Sequence, residues 1–513
     1  MNHFLFSHVK LILRQTSFVF FLATVADTSF AQTTRFNKRL DFNPSNFDLA
    51  ENLVSVKGGY MISGYTVDST TGNYDRITFG FVDSIGHFNW RKSYGRNGYY
   101  YDPGGPEALI PTNDSNFVQV GWVYHDTVTW DDIYLMKLNK QGDTIWTKQY
   151  VDSMDSFGAS CKQTKDKGFI IIGNLGRRST NWTSEMLLMK TDSAGNLQWE
   201  KTYAIPGTEQ VAFSIDFCQD HGFIIGGGSK TQAYLLKTDS LGNLSWRYAY
   251  GNSPYYVDGA GVIATSDGNF IFGSGFSENH IGTNYYDRDY IVKVASNGSQ
   301  IWAKKYGPAR IATGTGIIHE LPDGSFVSVG QMADSSNTHI FGTLLKINSL
   351  GDSVWLREYD ILKGFHSQNY LVDFKPTNDS GFVAVGFGIP SAPDTGNEDS
   401  WIIKVDKYGC DSAGCQNIVS NTGIKEFASD KNSFTIYPNP SNGYFTVDYH
   451  IMTGKPALMT IFDATGKQTR KVLLPGDQQR IEIDSSDLTA GLYFCSVITD
   501  GVCLGSMKLS ILK

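Results

Sequence analysis

A tight turn followed by an aromatic residue and a largely apolar run recurs seven times between residues 57 and 386. Such a turn is typical of a hairpin whose second strand is buried. Each copy therefore predicts two antiparallel β-strands. The copies are KGGYMISG (57–64), DSNFVQVG (114–121), DKGFIIIG (166–173), DHGFIIGG (220–227), DGNFIFGS (267–274), DGSFVSVG (323–330) and DSGFVAVG (379–386).

A second turn motif, in which Trp stands four residues after Gly, runs in phase with the first. It reads TDSAGNLQW at 191–199 and TDSLGNLSW at 238–246. Looser copies stand at 83–90, 139–146, 295–302 and 348–355. The six tryptophans are 47 to 56 residues apart, which is the length of a four-stranded propeller blade. With a third strand between the landmarks, one repeat is strand A, tight turn, strand B, long loop, strand C, tight turn and strand D.

The two motifs differ in number, because seven A–B–C sets stand beside only six tryptophan strands. The segment FNKRL (36–40) matches WRKSY (90–94), with Phe36 in the place of Trp. We predict that this segment supplies the missing fourth strand and closes the ring, because a closed ring leaves no unpaired strand edge. The predicted fold is all-β, with a seven-bladed β-propeller of four-stranded blades.

The turn motif with Trp has structural and chemical interpretations. It resembles the Asp-box of sialidases, but its Asp and Trp stand at other distances from Gly. It also resembles the tryptophan-docking repeat of quinoprotein propellers, in which the motif is structural. A calcium site would need more oxygen ligands than this short hairpin offers. We expect Gly195 to take a positive φ, Asp192 to bind the turn backbone, and Trp199 to pack one blade on the next.

The strand order places the short A–B and C–D turns at one end of the blades, the short-turn face. The long B–C loops, such as 66–76, 123–132 and 277–289, and the D–A loop at 95–107 lie at the other end, the long-loop face. Variable loops on a rigid scaffold commonly carry binding sites. We predict a binding surface for a sugar or a peptide there, with packing within the loops as the alternative. Its aromatic candidates are Tyr99, Tyr100, Trp130, Trp182, Tyr285 and Tyr286.

No catalytic residue is predicted, because the candidate carboxylates stand in no recognised spacing. These acids are Asp131, Asp132, Glu278, Asp287 and Asp289. A polysaccharide-degrading or sialidase-like enzyme remains the alternative to a binding module. No cofactor or metal is predicted, since neither CxxC nor HExxH occurs.

Composition agrees with an exported β-protein. Aromatic residues make up 13% of the chain and charged residues only 18%, beside 53 glycines. The net charge of -8 argues against nucleic acid as a partner. Residues 1–31 have the pattern of a signal peptide, for which we predict cleavage after Ala31, with a retained membrane anchor as the alternative. No later segment is predicted to span a membrane.

The six cysteines allow up to three disulfides. Cys410 and Cys415 are close enough in sequence to form one. A two-residue turn at Asp500-Gly501 would pair Cys503 with Ile498, so that Cys495 faces the other side of the sheet. The sequence leaves open the disulfide state of four cysteines, which are Cys161, Cys218, Cys495 and Cys503.

A change of pattern marks a second domain after GCDSAGC. The predicted organisation is a propeller at 32–415, a polar linker at 416–431 and a terminal domain at 432–513. The terminal domain has short alternating strands without either turn motif, which is typical of a small β-sandwich.

The terminal domain resembles the C-terminal sorting domain of the type IX (Por) secretion system of Bacteroidota. The resemblance rests on YPNPSNGYFTV (437–447), IFDATGK (461–467), LTAGLYF (488–494) and GSMKLSILK (505–513). It implies that the type IX machinery is a partner and that the protein is secreted or displayed at the outer cell surface via the periplasm. Its motif residues here are Pro438, Asn439, Pro440, Gly443, Gly466, Lys467, Gly491 and Tyr493. Together these observations predict a secreted or surface-attached propeller that binds a glycan or a protein.

Overall fold

A computed structural model describes residues 34–512 with internal gaps. Within this part, the regular structure is β throughout, without any α-helix. The predicted signal peptide with Ala31, the linker 416–431, Trp182, Gly466 and Lys467 lie outside the described residues. The gaps are 43–46, 69–71, 127–129, 151–153, 178–182, 205–208, 230, 252, 254–260, 282–283, 311–313, 393–396, 413–414, 416–432, 451–455, 464–467, 477–479 and 500–501.

Five antiparallel sheets follow one another along the chain, and we number them 1 to 5. Sheet 1 consists of β2 (Asp48–Val56), β3 (Gly59–Asp68), β4 (Tyr74–Asp83) and β5 (Phe88–Tyr94). Sheet 2 consists of β6 (Tyr99–Asp102), β7 (Leu109–Pro111), β8 (Phe117–His125), β9 (Asp131–Leu138) and β10 (Thr144–Tyr150), with both β6 and β7 paired to β8. Sheet 3 consists of β11 (Asp155–Gln163), β12 (Phe169–Arg177), β13 (Thr183–Thr191) and β14 (Leu197–Tyr203). Sheet 4 consists of β15 (Val211–Phe217), β16 (Phe223–Ser229), β17 (Gln232–Thr238) and β18 (Leu244–Tyr250), and sheet 5 of β19 (Gly261–Ala264), β20 (Phe270–Ile281), β21 (Asn284–Val294) and β22 (Gln300–Arg310).

An eight-stranded sheet follows, and it has two antiparallel halves. Its first half consists of β23 (Gly314–Glu320), β24 (Phe326–Ala333), β25 (Ile340–Ile347) and β26 (Ser353–Tyr359). Its second half consists of β27 (Gln368–Pro376), β28 (Phe382–Ile389), β29 (Asp399–Val405) and the N-terminal strand β1 (Phe36–Leu40). A parallel bridge from Ile340 to Gln368 joins the halves. The predicted pairing of FNKRL with the last C strand is thus confirmed, with Phe36 opposite Lys404.

The innermost packing follows the same order as the sheets. The first strand of each sheet or half contacts the first strand of the next, with β7 taking this place in sheet 2. The series runs from β2 through β7, β11, β15, β19 and β23 to β27, and β27 contacts β2 again. Buried apolar clusters lie between consecutive sheets. One of them joins Phe36 and Ile402 of the second half to Leu53 and Ile62 of sheet 1.

The described parts of residues 433–512 form two further sheets. One contains β30 (Ser433–Tyr437), β31 (Tyr444–His450) and β34 (Arg480–Asp484). The other contains β32 (Ala457–Asp463), β33 (Gln468–Leu474), β35 (Gly491–Thr499) and β36 (Val502–Ile511). Side chains from both sheets, among them Phe445 and Met459, form one apolar core, as expected for a small sandwich.

The cysteine predictions agree with the structure. Cys410 and Cys415 form a disulfide. Cys503 pairs with Ile498 across the hairpin, as the predicted two-residue turn requires. Cys161, Cys218 and Cys495 are free and buried.

The loop assignment of two predicted segments is corrected. Residues 95–107 contain a strand, because Tyr99–Asp102 pairs with residues 122–125 of β8. Residues 277–289 largely continue β20 and β21 as a long hairpin. Each segment carries consecutive tyrosines, Tyr99–Tyr101 in the first and Tyr285–Tyr286 in the second, and aromatic residues favour the extended strand conformation.

Candidate functional site

The turn motif with Trp joins neighbouring sheets. Gly195 has a φ of 77°, and Asp192 Oδ1 accepts hydrogen bonds from the backbone N–H groups of Ala194 (2.9 Å) and Asn196 (2.8 Å). A Cβ on Gly195 would lie 2.9 Å from the Trp146 ring of the preceding sheet. Glycine is therefore required both by the turn and by the ring that covers it.

The same contact recurs from sheet to sheet, and a tyrosine reinforces it. The Tyr150 hydroxyl donates a hydrogen bond to the Gly195 carbonyl oxygen at 2.7 Å, and Tyr203 does the same to Gly242 at 2.6 Å. Phe36 of β1 contacts Gly86 of sheet 1 in this way. The motif is accordingly structural, and function has to be sought elsewhere.

A lysine also recurs in the third strand of five repeats and is structural as well; these residues are Lys190, Lys237, Lys293, Lys346 and Lys404. Each pairs with an aspartate of the A–B turn in its own sheet, for example Lys190 with Asp166 at 2.8 Å and Lys293 with Asp267 at 2.8 Å. The lysine stems are buried, whereas the aspartates are about half exposed.

On the long-loop side of sheets 1 and 2, Tyr74, Tyr100 and Tyr124 form a row of rings. The ring centroids of Tyr74 and Tyr100 are 5.2 Å apart, and those of Tyr100 and Tyr124 are 5.9 Å apart. The Tyr74 hydroxyl donates a long hydrogen bond of 3.4 Å to Asp126. We call these three residues the tyrosine row. Each ring is only partly buried, so the row retains accessible aromatic surface.

The other predicted aromatic residues are dispersed. Tyr99 packs against His125, with centroids 4.2 Å apart, and contacts the core between sheets 1 and 2. Trp130 is 37% exposed and precedes β9. Tyr285 and Tyr286 lie in β21 of sheet 5, opposite His280 and Asn279. Of the predicted aromatic residues, Tyr100 belongs to the tyrosine row, whereas Tyr99 neighbours Tyr101 at a centroid distance of 6.4 Å.

Two acids with raised pKa values lie on the strands next to the tyrosine row. Glu51 occupies a β-bulge in β2, between Ala50 and Asn52, and Asp102 ends β6. Burial, together with the charge of Asp102, raises the pKa of Glu51 well above its usual range. Burial also raises the pKa of Asp102 to about 7, although Asp102 accepts a hydrogen bond from the Gly104 N–H. At neutral pH this pair therefore holds at least one proton. No sequence motif marks it, because Glu51 and Asp102 are far apart in the chain.

The first strand of each repeat ends at a short A–B turn. A second group of ionisable residues lies near that end of the first strands. Lys162 of β11, His319 of β23 and Lys375 of β27 surround the carboxylate of Glu107, which stands just before β7. Glu107 Oε2 lies 3.5 Å from Lys162 Nζ, and Glu107 Oε1 lies 3.2 Å from Lys375 Nζ and 3.6 Å from His319 Nε2. Lys375 also pairs with the buried Asp373 at 2.8 Å. We call Glu107, Lys162, His319 and Lys375 the inner charged cluster.

Electrostatics fixes the protonation states in the inner charged cluster. Burial alone would raise the pKa of Glu107, but Lys162 and Lys375 outweigh it and hold this pKa far below its usual range. Burial, with the charge of Lys375, lowers the pKa of His319 to about 3. At neutral pH the cluster thus contains a carboxylate, two ammonium groups and an uncharged imidazole.

The sorting-motif residues hold the terminal strand. The Asn439 side chain donates a hydrogen bond to the Lys508 carbonyl (2.5 Å) and accepts one from the Ser510 N–H (2.9 Å). Ser441 continues this contact through its backbone bonds to Ser510 and Leu512. Pro438 and Pro440 flank Asn439, and Gly443 takes a φ of 102° where the loop enters β31. The buried Tyr493 donates its hydroxyl to the Thr489 carbonyl at 2.9 Å, and Gly491 pairs with Ile511 of the terminal strand.

The comparisons with solved structures give only distant likenesses. A fungal alcohol oxidase of the AA5 family, in complex with copper, is 11% identical with a TM-score of 0.45, over 94% of this chain and 100% of the oxidase. A puromycin hydrolase is 10% identical with a TM-score of 0.38, over 72% of this chain, which spans about half (53%) of the hydrolase. The NanB sialidase of Streptococcus pneumoniae is 8% identical with a TM-score of 0.38, over 73% of this chain and 71% of the sialidase. No curated protein matches the sequence.

Residues 435–509 match the family described as the secretion system C-terminal sorting domain. The matched range contains Asn439, its contact with Lys508 and most of β36. In the described part of the chain, no helix has the length and apolar character needed to cross a bilayer. The chain therefore carries a type IX secretion-system C-terminal sorting domain and is exported to the cell surface or secreted.

Proposed function

We propose that residues 32–415 form a seven-bladed β-propeller that is exported after cleavage of the signal peptide behind Ala31. The closed series of first-strand contacts from β2 to β27 and back supports this number of blades. In this series, each half of the eight-stranded sheet counts as one blade, and the strand Phe36–Leu40 completes the seventh blade. The terminal domain, 432–513, then follows a linker at 416–431, and the sorting-domain resemblance points to a source in the Bacteroidota.

We further propose that this propeller is a non-catalytic binding or adhesion module for a glycan or a protein. The tyrosine row is the observation that carries this proposal. Aromatic faces stack on sugar rings and on peptide side chains, and they lose little conformational entropy on binding. The row lies on the long-loop side, away from the repeated turn motif.

The binding proposal is tested with a glycan panel and the mature protein. We expect retention on at least one glycan and a loss of roughly tenfold in affinity on Tyr100→Ala, because the central ring contacts both neighbours. The control is Tyr408→Ala, since Tyr408 is 45% exposed but lies in the short turn 406–409 that follows β29, at the short-turn face. Equal affinities of Tyr100→Ala and the unmodified protein would refute the role of the tyrosine row.

The alternative function, a glycan-degrading enzyme, draws its support from Glu51 and Asp102. A carboxyl group that stays protonated at neutral pH has the property required of a general acid, and glycosidases pair one such acid with an ionised carboxylate. The same panel distinguishes the two functions, because an enzyme releases product. Product release that Glu51→Gln abolishes would favour the enzyme over the binding module.

A further inference from the structure

The inner charged cluster joins parts of the chain that are far apart in sequence. Lys375 and Glu107 are separated by 268 residues. Glu107 stands just before β7 of sheet 2. Its partners belong to sheet 3 (Lys162) and to the first and second halves of the eight-stranded sheet (His319 and Lys375). A single carboxylate thus touches side chains from three other sheets or halves.

The backbone around Glu107 is built to present this carboxylate. Glu107 has a φ of 64°, a left-handed conformation that is unfavourable for a residue with a side chain. Three contacts hold the segment in place: Gly105 N–H donates to the Ala159 carbonyl (2.9 Å), Ala108 N–H donates to Asn52 Oδ1 (2.8 Å), and the Ser160 hydroxyl donates to the Glu107 carbonyl (3.4 Å). The segment is therefore fixed from sheet 1 on one side and from sheet 3 on the other.

The lysines are likewise arranged for a carboxylate. Each oxygen of Glu107 faces a different ammonium group. Asp373, which pairs with Lys375, is held in place by the Leu53 N–H of sheet 1, which donates to Asp373 Oδ2 at 2.9 Å. Little of the Glu107 side chain is exposed, at 9%, so these contacts are only weakly screened by solvent.

We propose that Lys162 and Lys375, with the uncharged His319 at their side, form a carboxylate-binding site, and that Glu107 is its tethered ligand. The occupied site is a latch. It fastens sheet 2 to sheet 3 and to both halves of the eight-stranded sheet, independently of the β1–β29 pairing. The left-handed backbone at Glu107 is tolerated because this ion-pair contact outweighs its strain.

The test uses the full mature chain and removes the Glu107 carboxylate without disturbing the backbone. Glu107→Gly suits this purpose, since glycine accepts a positive φ. We expect the melting temperature to fall by roughly 5 °C, because a buried ion pair loses one partner. Acetate should bind in the vacated site and recover at least half of this loss, relative to chloride at the same ionic strength.

A matched control separates the latch from backbone strain. Lys167 also has a left-handed backbone (φ 68°), but it lies exposed in a turn. Lys167→Gly should leave the melting temperature unchanged or raise it slightly, and acetate should affect it as it affects the unmodified protein. The proposal is overturned if the melting temperature of Glu107→Gly equals or exceeds that of the unmodified protein. It is also overturned if acetate raises the melting temperature of Glu107→Gly no more than it raises that of Lys167→Gly.

If Glu107→Gly does not fold in chloride, a second measurement tests whether Glu107 and Lys162 interact. Glu107→Gln keeps the size of the side chain and removes its charge. In a double-mutant cycle with Lys162→Met, the loss in the double variant should be clearly smaller than the sum of the two single losses. Additive losses would show that the two side chains do not interact and would refute the latch.

Discussion

His319 remains uncharged at neutral pH although charged groups surround it. Its Nε2–H points to the Phe374 carbonyl oxygen, which can only accept and lies 3.2 Å away. Glu107, Lys162 and Lys375 face the ring, and Asp373 lies behind Lys375. Burial and the two ammonium groups prevail over the carboxylate, so that the pKa of His319 falls to about 3.

This low pKa predicts a loss of stability in mild acid. The folded pKa of His319 is about 3 and its ordinary value is 6.5. As the pH falls below 6.5, the unfolded chain takes up a proton that the folded protein does not, so the free energy of unfolding decreases until about pH 3. Between pH 7 and pH 5, this one residue accounts for about 2 kcal/mol.

Denaturant unfolding of the unmodified protein and of His319→Gln at both pH values measures this effect. Glutamine retains an N–H donor for the Phe374 carbonyl and does not titrate. Between pH 7 and pH 5, the free energy of unfolding of His319→Gln should therefore fall by about 2 kcal/mol less than that of the unmodified protein. The other titrating groups are common to both proteins. Equal losses in the two proteins would contradict the assignment of an uncharged His319.

Among the elements, the short strand β1 is the one that closes the domain, because its five residues join the beginning of the domain to its end. Arg35 binds Asp406 at 2.7 Å, and the fully buried Trp401 donates its indole N–H to Asn37 Oδ1 at 2.7 Å. The Asp406 carboxylate also accepts the Cys410 N–H at 2.9 Å, which connects this seam to the disulfide.

We therefore expect Asn37→Ala to destabilise the domain. It leaves the buried Trp401 N–H without its acceptor, which costs about 1–3 kcal/mol. Glu200→Ala is the matched control, since Glu200 follows Trp199 as Asn37 follows Phe36, and it is exposed. Thermal unfolding of both variants tests the expectation, and a loss in Asn37→Ala no larger than in the control would contradict it.

At the scale of the whole molecule, the terminal domain determines where the protein goes. Its terminal strand β36 lies between β35 and the loop that contains Asn439. Removal of 432–513 should leave the remaining protein in the periplasm, which fractionation and surface labelling measure.

A graded variant sharpens this experiment. Asn439→Ala removes two hydrogen bonds to the terminal strand and should reduce surface display severalfold, whereas Asn442→Ala, at an exposed position of the same loop, should not. Undiminished display of the truncated protein would refute the role of the domain as the export signal of this chain.

The sequence by itself determined the features that arise from local patterns. The phase of the two turn motifs gave the strand order, and the match of Phe36 to the Trp positions gave the pairing of β1 with β29. The Cys410–Cys415 disulfide, the pairing of Cys503 with Ile498 and the sorting motif followed in the same way. These features were predictable because turn chemistry and strand alternation act over a few residues.

Only the tertiary structure decided which side chains meet at the inner strands. Glu107, Lys162, His319 and Lys375 share no motif or spacing, and neither do Glu51 and Asp102. They meet because the first strands of all the sheets lie side by side, and that neighbourhood depends on the packing of the whole domain. The strand at Tyr99–Asp102 was missed because it pairs with residues 122–125 of β8 across the intervening strand β7, and no hairpin turn marks that pairing in the sequence.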